Sequence, residues 1–538
     1  MAQKFAIALA ALLAVVFTAS AQDAKTTVAN TLKAMGGENM HGLQFTASGS
    51  SPGQLKDGNT PGPRNLIKSY VYTVDYTIPA ARLEQGVIGG LPPQTMLGGE
   101  GHSQQFVNGE YAWDIGGVPG VIGGGNRPAD WPIIAFPPSF QKAGDPLRQP
   151  DGDGLQSHSD VDRNEQIWLT PHGFLIGAMK HDATLSEQTI DGKKCRVITW
   201  MGPNGQKIIG YLNDQNMVDK VETWMDHPMY GDEHVIRTYD YYRNFGGGLQ
   251  FPAHIVETIN TPALSGDKSL NLELFVTEAK ANVPADLSVP EGVRETPPAP
   301  PFTIMTQKLG DGLFWLAGQN DCSLLVEFKD FVTVVEGPMN DDRSVAVIAE
   351  THKLIPNKPI RYMINTHPHV DHTGGVRGYA AIGATLITQS ANVQFIEELL
   401  KTPHTIIPDS LSKNPNAKWK VEGVEDSRVI TDGSRRLEIY HVRGSLHTSA
   451  MLMTYLPKEK ILTEGDPWTP GMVNPKPGDR PYQRCCDSQN LYDNILRLHL
   501  DVKTFAPVHG RVDTWEHFVQ YLGLPPQGAS SGEARSGN

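Results

Sequence analysis

Through residues 195–200 (CRVITW), 218–225 and 234–242, apolar and polar positions alternate with a period of two, the pattern of strands that bury one face. Asp191-Gly192 and Asn204-Gly205 stand between such runs, and these dipeptides supply the backbone angles that tight hairpins need. A short helix is predicted over 27–35. The stretch 89–153 is rich in glycine and proline and reads as long loops. Residues 22–282 are therefore expected to form a mostly β domain.

The second half has a different pattern. Residues 324–335 (LLVEFKDFVTVV) predict a hairpin around Lys329-Asp330, followed by a helix over 343–354 and a short buried strand over 361–365. A strand over 385–388 precedes a helix over 390–400. Strands are expected over 437–441, 450–455, 460–463 and 504–508, with helices over 488–499 and 514–522. This is a mixed α/β layer pattern over 302–524. Between the halves, 283–301 (VPADLSVPEGVRETPPAPP) is dense in proline and predicts a stiff extended linker. The tail 525–538 has the composition of a disordered segment.

Length and charge narrow the classes. At 538 residues the chain exceeds what one core usually supports, which fits two domains. A formal charge of -13 excludes nucleic acid as the expected partner, because phosphate binding needs a basic surface. Lys4, the apolar run 5–17 and Ala19-Ser20-Ala21 have the form of a cleavable export signal over 1–21, of the bacterial kind. The run is shorter than the ~20 apolar residues of a bilayer span, so no membrane span is expected, and the mature protein is expected to be periplasmic or secreted. Cys195, Cys322, Cys485 and Cys486 are too few for a disulfide scaffold and are expected as free thiols.

The chemistry is concentrated after the 361–365 strand, in Thr366-His367-Pro368-His369-Val370-Asp371-His372-Thr373-Gly374-Gly375. Alternate residues of an extended chain point the same way, so His367 and His369 can reach one metal, while Asp371 and His372 face a second position. Imidazole with one carboxylate suits zinc, with iron or manganese as options. Downstream, His447, Asp466 and His509 each fall just past a strand.

This H-x-H-x-D-H run and its three downstream partners resemble the signature of the metallo-β-lactamase superfamily, over about 302–522. The resemblance implies an αββα sandwich for the C-terminal domain, with the mostly β domain ahead of it. It implies that His367, His369 and His447 bind one metal, that Asp371, His372 and His509 bind a second, and that Asp466 bridges them. Asp466 stands where cysteine-bearing β-lactamases have Cys, so the chain is more similar to glyoxalase II and lactonase-type hydrolases. Glu336 stands where the family usually has an Asp, and is expected to support the site without binding metal. In the first half, TYDYYRNFGGGLQFPAHI (238–255) resembles the half-barrel of periplasmic lipoprotein carriers.

Two zinc ions sharing a water would lower its pKa from about 15.7 towards about 7 and generate a bridging hydroxide. The expected activity is hydrolysis of an ester, thioester, lactone, lactam or phosphoester of a small molecule, with Asp371 and Asp466 as catalytic carboxylates. Two alternatives are an iron-dependent oxidoreductase of the persulfide dioxygenase type and a ligand carrier whose metal domain is secondary. The stretch 401–431 is a candidate lid, with His404 either a substrate contact or, more commonly for such a loop, a solvated side chain. Trp468, Tyr482 and Arg484 follow Asp466 as candidate substrate contacts, and His441 and Ser445 are candidate supports for His447. The oligomeric state is left open.

Overall fold

The computed structural model describes residues 23–90, 100–116, 133–136, 159–190, 192–296, 302–318, 321–470 and 487–524. The export signal, the tail, Tyr482, Arg484, Cys485 and Cys486 lie outside the described residues.

Alternation in the first half produces one antiparallel sheet of thirteen strands. From one edge it runs Ile133–Phe136, Tyr111–Gly116, Glu100–Asn108, Ala80–Ile88, Asn65–Asp75 and Gly42–Ser51. It continues through Leu270–Ala281, Gln250–Asn260, Gly231–Asn244, Val218–His227, Lys207–Leu212, Lys193–Met201 and Thr184–Ile190. The first strand of the chain thus pairs with the last of the domain, Leu43 opposite Ala281. The sheet is two meanders joined at their ends. Glu100–Asn108, Tyr111–Gly116 and Ile133–Phe136 are strands in a region expected as loops, where glycine and proline content masked the alternation.

Burial follows the pleat: Gly231–Asn244 alternates buried and half-buried positions over its first nine residues. The helix at 23–34 and the helices Ser159–Trp168 and Pro171–Lys180 pack on the sheet, Val28, Leu32, Trp168, Phe174 and Leu175 sharing a core with Phe45, Trp200 and Phe251. The last two helices were not expected from the sequence. Close packing there depends on glycine, since a Cβ at Gly177 would lie 2.3 Å from the Trp200 ring and one at Gly210 would lie 2.2 Å from Phe174. The proline-dense stretch is not wholly extended. A turn of helix, Glu291–Arg294, forms in it, and Leu287, Val289 and Val293 bury themselves against Phe106 and Trp113.

The second half stacks two sheets. The seven-stranded one runs Met305–Gly310, Leu313–Gly318, Asp321–Glu327, Val332–Val335, Ile360–Ile364, Thr385–Gln389 and Lys420–Val424. The last four strands are parallel, and Val332–Val335 is buried throughout, as a strand covered on both faces must be. The six-stranded sheet runs Ser427–Thr431, Arg436–His441, Leu452–Leu456, Ile461–Thr463, Thr504–Phe505 and Asp513–Thr514. Leu324, Val326 and Ile364 from the first sheet interlock with Leu437, Ile439 and Leu452 from the second. Helices Asp341–Leu354, Val376–Ala381 and Val393–Lys401 cover the outer face of the first sheet, and Asp487–Arg497 and Trp515–Tyr521 cover the second. The order of layers is αββα. The stretch 401–431 supplies a strand to each sheet and the helical turn Ser410–Lys413, so it is framework and not a lid.

The two halves touch through residues 55–59. Lys56 O accepts from Ser449 N at 2.8 Å and Thr448 Oγ1 at 2.7 Å, and Gly58 N donates to Asn392 Oδ1 at 2.9 Å. A second contact is made by Asp232, whose carboxylate accepts from Thr405 N and Ile406 N at 2.9 and 3.1 Å.

Candidate metal centre

The strand Ile360–Ile364 ends in Asn365, and the chain then stays extended through His367 to His369 before one helical turn, Val370–Thr373. Asn365 fastens this loop: its Nδ2 donates to His367 O at 2.9 Å and His372 O at 3.2 Å. Gly374 and Gly375 do fold the backbone under the site, but neither has a positive φ. They are required by close approach, since a Cβ would lie 1.8 Å from Met339 O at Gly374 and 2.2 Å from Ser344 Oγ at Gly375.

Seven donors converge in two groups. In one, His367 Nε2 lies 3.1 Å from His369 Nδ1 and 3.3 Å from His447 Nε2, and His447 Nε2 lies 2.9 Å from Asp466 Oδ2. In the other, His372 Nε2 lies 3.1 Å from His509 Nε2, and both face Asp466 Oδ1, at 2.5 and 3.2 Å. Asp371 Oδ2 completes that group, 3.4 Å from His372 Nε2. The carboxylate of Asp466 therefore spans the groups, one oxygen in each.

This arrangement fits two metal ions. Imidazole nitrogens bound at about 2.0–2.1 Å to a tetrahedral ion sit about 3.3 Å apart, and the observed spacings are 3.1 and 3.3 Å. Asp466 Oδ1 is buried with the Nε2 atoms of His372 and His509 against it, and both rings face a carboxylate with their other nitrogen as well. So dense a buried set of lone pairs and carboxylates is costly unless cations serve it.

The ring nitrogens that face away from the centre are held from behind. His367 Nδ1 meets Thr366 Oγ1 at 3.0 Å, and His372 Nδ1 meets Glu336 Oε2 at 3.1 Å. His509 Nδ1 meets Asp321 Oδ1 at 3.0 Å, and His369 Nε2 meets the carbonyl of Leu55, from the first domain, at 2.9 Å. Such partners fix the tautomer and aim of a metal-binding histidine. Glu336 supports in this way, holding Thr366 Oγ1 as well as His372. It does so from a left-handed backbone, φ 77°, secured by Ser323 Oγ donating to its carbonyl at 2.9 Å. Arg343, fully buried, ties the same corner by donating to Asp321 O at 2.8 Å and Ser323 Oγ at 3.1 Å.

Charge in the cluster is set by burial and by Asp466. Burial pushes His369 down to about 3 and His367 well below the usual range, keeping both neutral as ligands must be. Burial acts the same way on His372, His447 and His509, but carboxylates override it and raise them, Asp466 foremost for His372 and His447, and Asp321 ahead of Asp466 for His509. Asp466 itself, despite burial, is held well below the carboxylate range by His372 and His447.

Other candidates fall elsewhere. His404 is buried 3.8 Å from Asp409, and a Cβ at Gly231 would meet its ring at 2.7 Å, so it is neither a solvated loop side chain nor one of the converging donors. Trp468 is core, packed on Phe505 and Phe518. His441 bonds Ser449 O, and Ser445 Oγ accepts from Thr448 N, so neither bonds the His447 ring. Asp321 and the Leu55 carbonyl were not expected.

Residues 317–466 match the sequence profile of the metallo-beta-lactamase superfamily, a span that holds six of the seven donors, with His509 beyond it. The C-terminal domain is a metallo-β-lactamase-superfamily domain. A linear primary-alkylsulfatase from a Pseudomonas species is 35% identical over 69 residues, 13% of this chain and 10% of that protein. The chain thus matches about a tenth of the length of that curated relative. Among solved metallo-β-lactamases, one from Pontibacter korlensis is 16% identical, covering 41% of this chain and 98% of that chain, with a TM-score of 0.32. FIM-1 from Pseudomonas aeruginosa, in its mono-zinc form, is 19% identical, covering 42% and 96%, with a TM-score of 0.31.

Proposed function

We propose that the protein is an exported hydrolase that works with two divalent ions, zinc first among them. The observation that carries this reading is the Asp466 carboxylate, placed with one oxygen in each donor group. Ions held there would supply an acidified water as nucleophile and a positive field on the substrate oxygen. His367, His369 and His447 hold one position, and Asp371, His372 and His509 the other. Asp371 is the more exposed of the two carboxylates, its side chain 26% accessible against 4% for Asp466, so it is the one placed to move a proton to a leaving group once it shifts from metal contact. A small-molecule ester, thioester, lactone, lactam or phosphoester fits this chemistry, with bridging-aspartate hydrolases of the glyoxalase II and lactonase type as the nearest analogy. The short alkylsulfatase match adds a linear alkyl sulfate to the panel.

The test is elemental analysis of the purified mature protein with hydrolysis assays on that panel and a cephalosporin. Two zinc ions per chain and one substrate class lost in His369→Ala are expected. One iron per chain, or turnover indifferent to His369→Ala, overturns the reading. Export is checked by sequencing the N-terminus of the protein recovered from outside the cytoplasm, where Gln22 is expected first.

A further inference from the structure

A cavity of about 450 Å³ lies in the first domain between the sheet and the helix Ser159–Trp168. That is the size of a small-molecule site. Its walls are apolar and aromatic, with Phe45, Tyr70, Leu83 and Leu272 among them. None of its lining residues is a metal donor.

One region of the wall is polar and built. Arg237, buried, donates from Nε to Glu257 Oε2 at 3.0 Å and from Nη2 to Glu257 and Gln166. Asn271 Nδ2 donates to the other Glu257 oxygen at 2.6 Å. The carboxylate is thereby satisfied. Arg237 Nη1 makes no hydrogen bond with the described residues, and it remains a donor. Tyr72 also lines the cavity, is 8% exposed, and its buried hydroxyl has no partner among the described residues. A buried hydroxyl left so is costly, and it marks a place for a partner.

Charge decides the kind of partner. The two lining arginines are each matched, Arg237 by Glu257 and Arg163 by Asp114 at 2.8 Å. An anionic head would enter as an uncompensated buried charge, which is expensive. An uncharged oxygen head would accept from Tyr72 Oη and Arg237 Nη1 without that cost. We propose that this cavity binds an uncharged amphiphile, an alkyl or acyl chain lying among the aromatic walls with a hydroxyl or carbonyl oxygen at Tyr72 and Arg237. This site is independent of the hydrolytic centre.

The test is isothermal titration calorimetry on the full mature chain with decan-1-ol and, at pH 8, sodium decanoate. One decan-1-ol per chain is expected, with decanoate at least tenfold weaker. Leu83→Trp, which fills the cavity, is expected to abolish uptake while leaving metal content unchanged. Tyr72→Phe, which keeps the ring and the packing, is expected to weaken decan-1-ol about five- to tenfold, the effect of one buried hydrogen bond. No uptake by the wild type, or equal uptake by the wild type and both variants, overturns the site. Decanoate binding as tightly as decan-1-ol overturns the uncharged head, and an unchanged Tyr72→Phe overturns its placement.

Discussion

Glu336 and Asp321 touch no metal position directly, yet each aims a histidine that does. Glu336→Gln trades the acceptor on His372 Nδ1 for an amide that can equally donate, which leaves the ring tautomer unspecified. Metal affinity at the second position is expected to fall about 10- to 100-fold, measured by competition with a chelator. Asp321→Asn is expected to act on the same position through His509, with the first position unchanged. Equal loss at both positions would show that these carboxylates serve general packing instead. The seven donors were legible because H-x-H-x-D-H is local and the remaining three follow strand ends in order. Asp321 was not, since its role exists only once residues 321 and 509 meet across the sheets. The Leu55 contact is made by a backbone carbonyl, which no residue type announces.

At the scale of elements, the helix Pro171–Lys180 begins on Thr170, which accepts from Gly173 N, and carries His172 into the core. Burial pushes His172 down to about 4. In the unfolded chain it titrates near 6.5, so between those values the unfolded state binds the extra proton and stability falls as pH falls. The loss over that window is about 3 kcal/mol, read from urea unfolding of the first domain at pH 7 and pH 4.5. His172→Phe, which keeps the ring beside Phe251, is expected to remove this component. An acid profile unchanged in the variant would assign it to other groups. This helix escaped the sequence reading because its apolar residues are nearly continuous, PHGFLIGA, so neither period stands out. The strands at 195–201 and 218–227 mix apolar and polar positions along their length and were plain.

At the scale of the molecule, the metal domain borrows part of its wall. Leu55 and Lys56 come from the connection between two strands of the first sheet, and Gly58 fits there because a Cβ would lie 2.5 Å from Phe395 Cβ. Gly58→Val is therefore expected to lift this connection and release His369 Nε2. Metal at the first position should weaken about tenfold, with the second position and the melting of the first domain unchanged. Unaltered chelator competition would show that His369 needs no partner. The β content of the first half and the α/β mix of the second followed from period and composition, and the αββα order from the family resemblance. Their mutual contact did not, because it is made by residues that no period marks, 55–59 with Met229, Tyr230 and Asp232.

The joining of strand Gly42–Ser51 to Leu270–Ala281 also has a consequence in time. His41 and Asn282 hydrogen-bond across 241 positions of chain. Closure over such a span adds little entropy beyond that of a shorter loop, because the cost grows only with the logarithm of length. It does delay the event. The two meanders must wait, each with an open edge, until residue 281 has emerged, and pairings so distant in sequence form slowly. A chain that stays unclosed this long remains threadable, which is the state that the proposed export would require before the protein folds on the far side of a narrow pore.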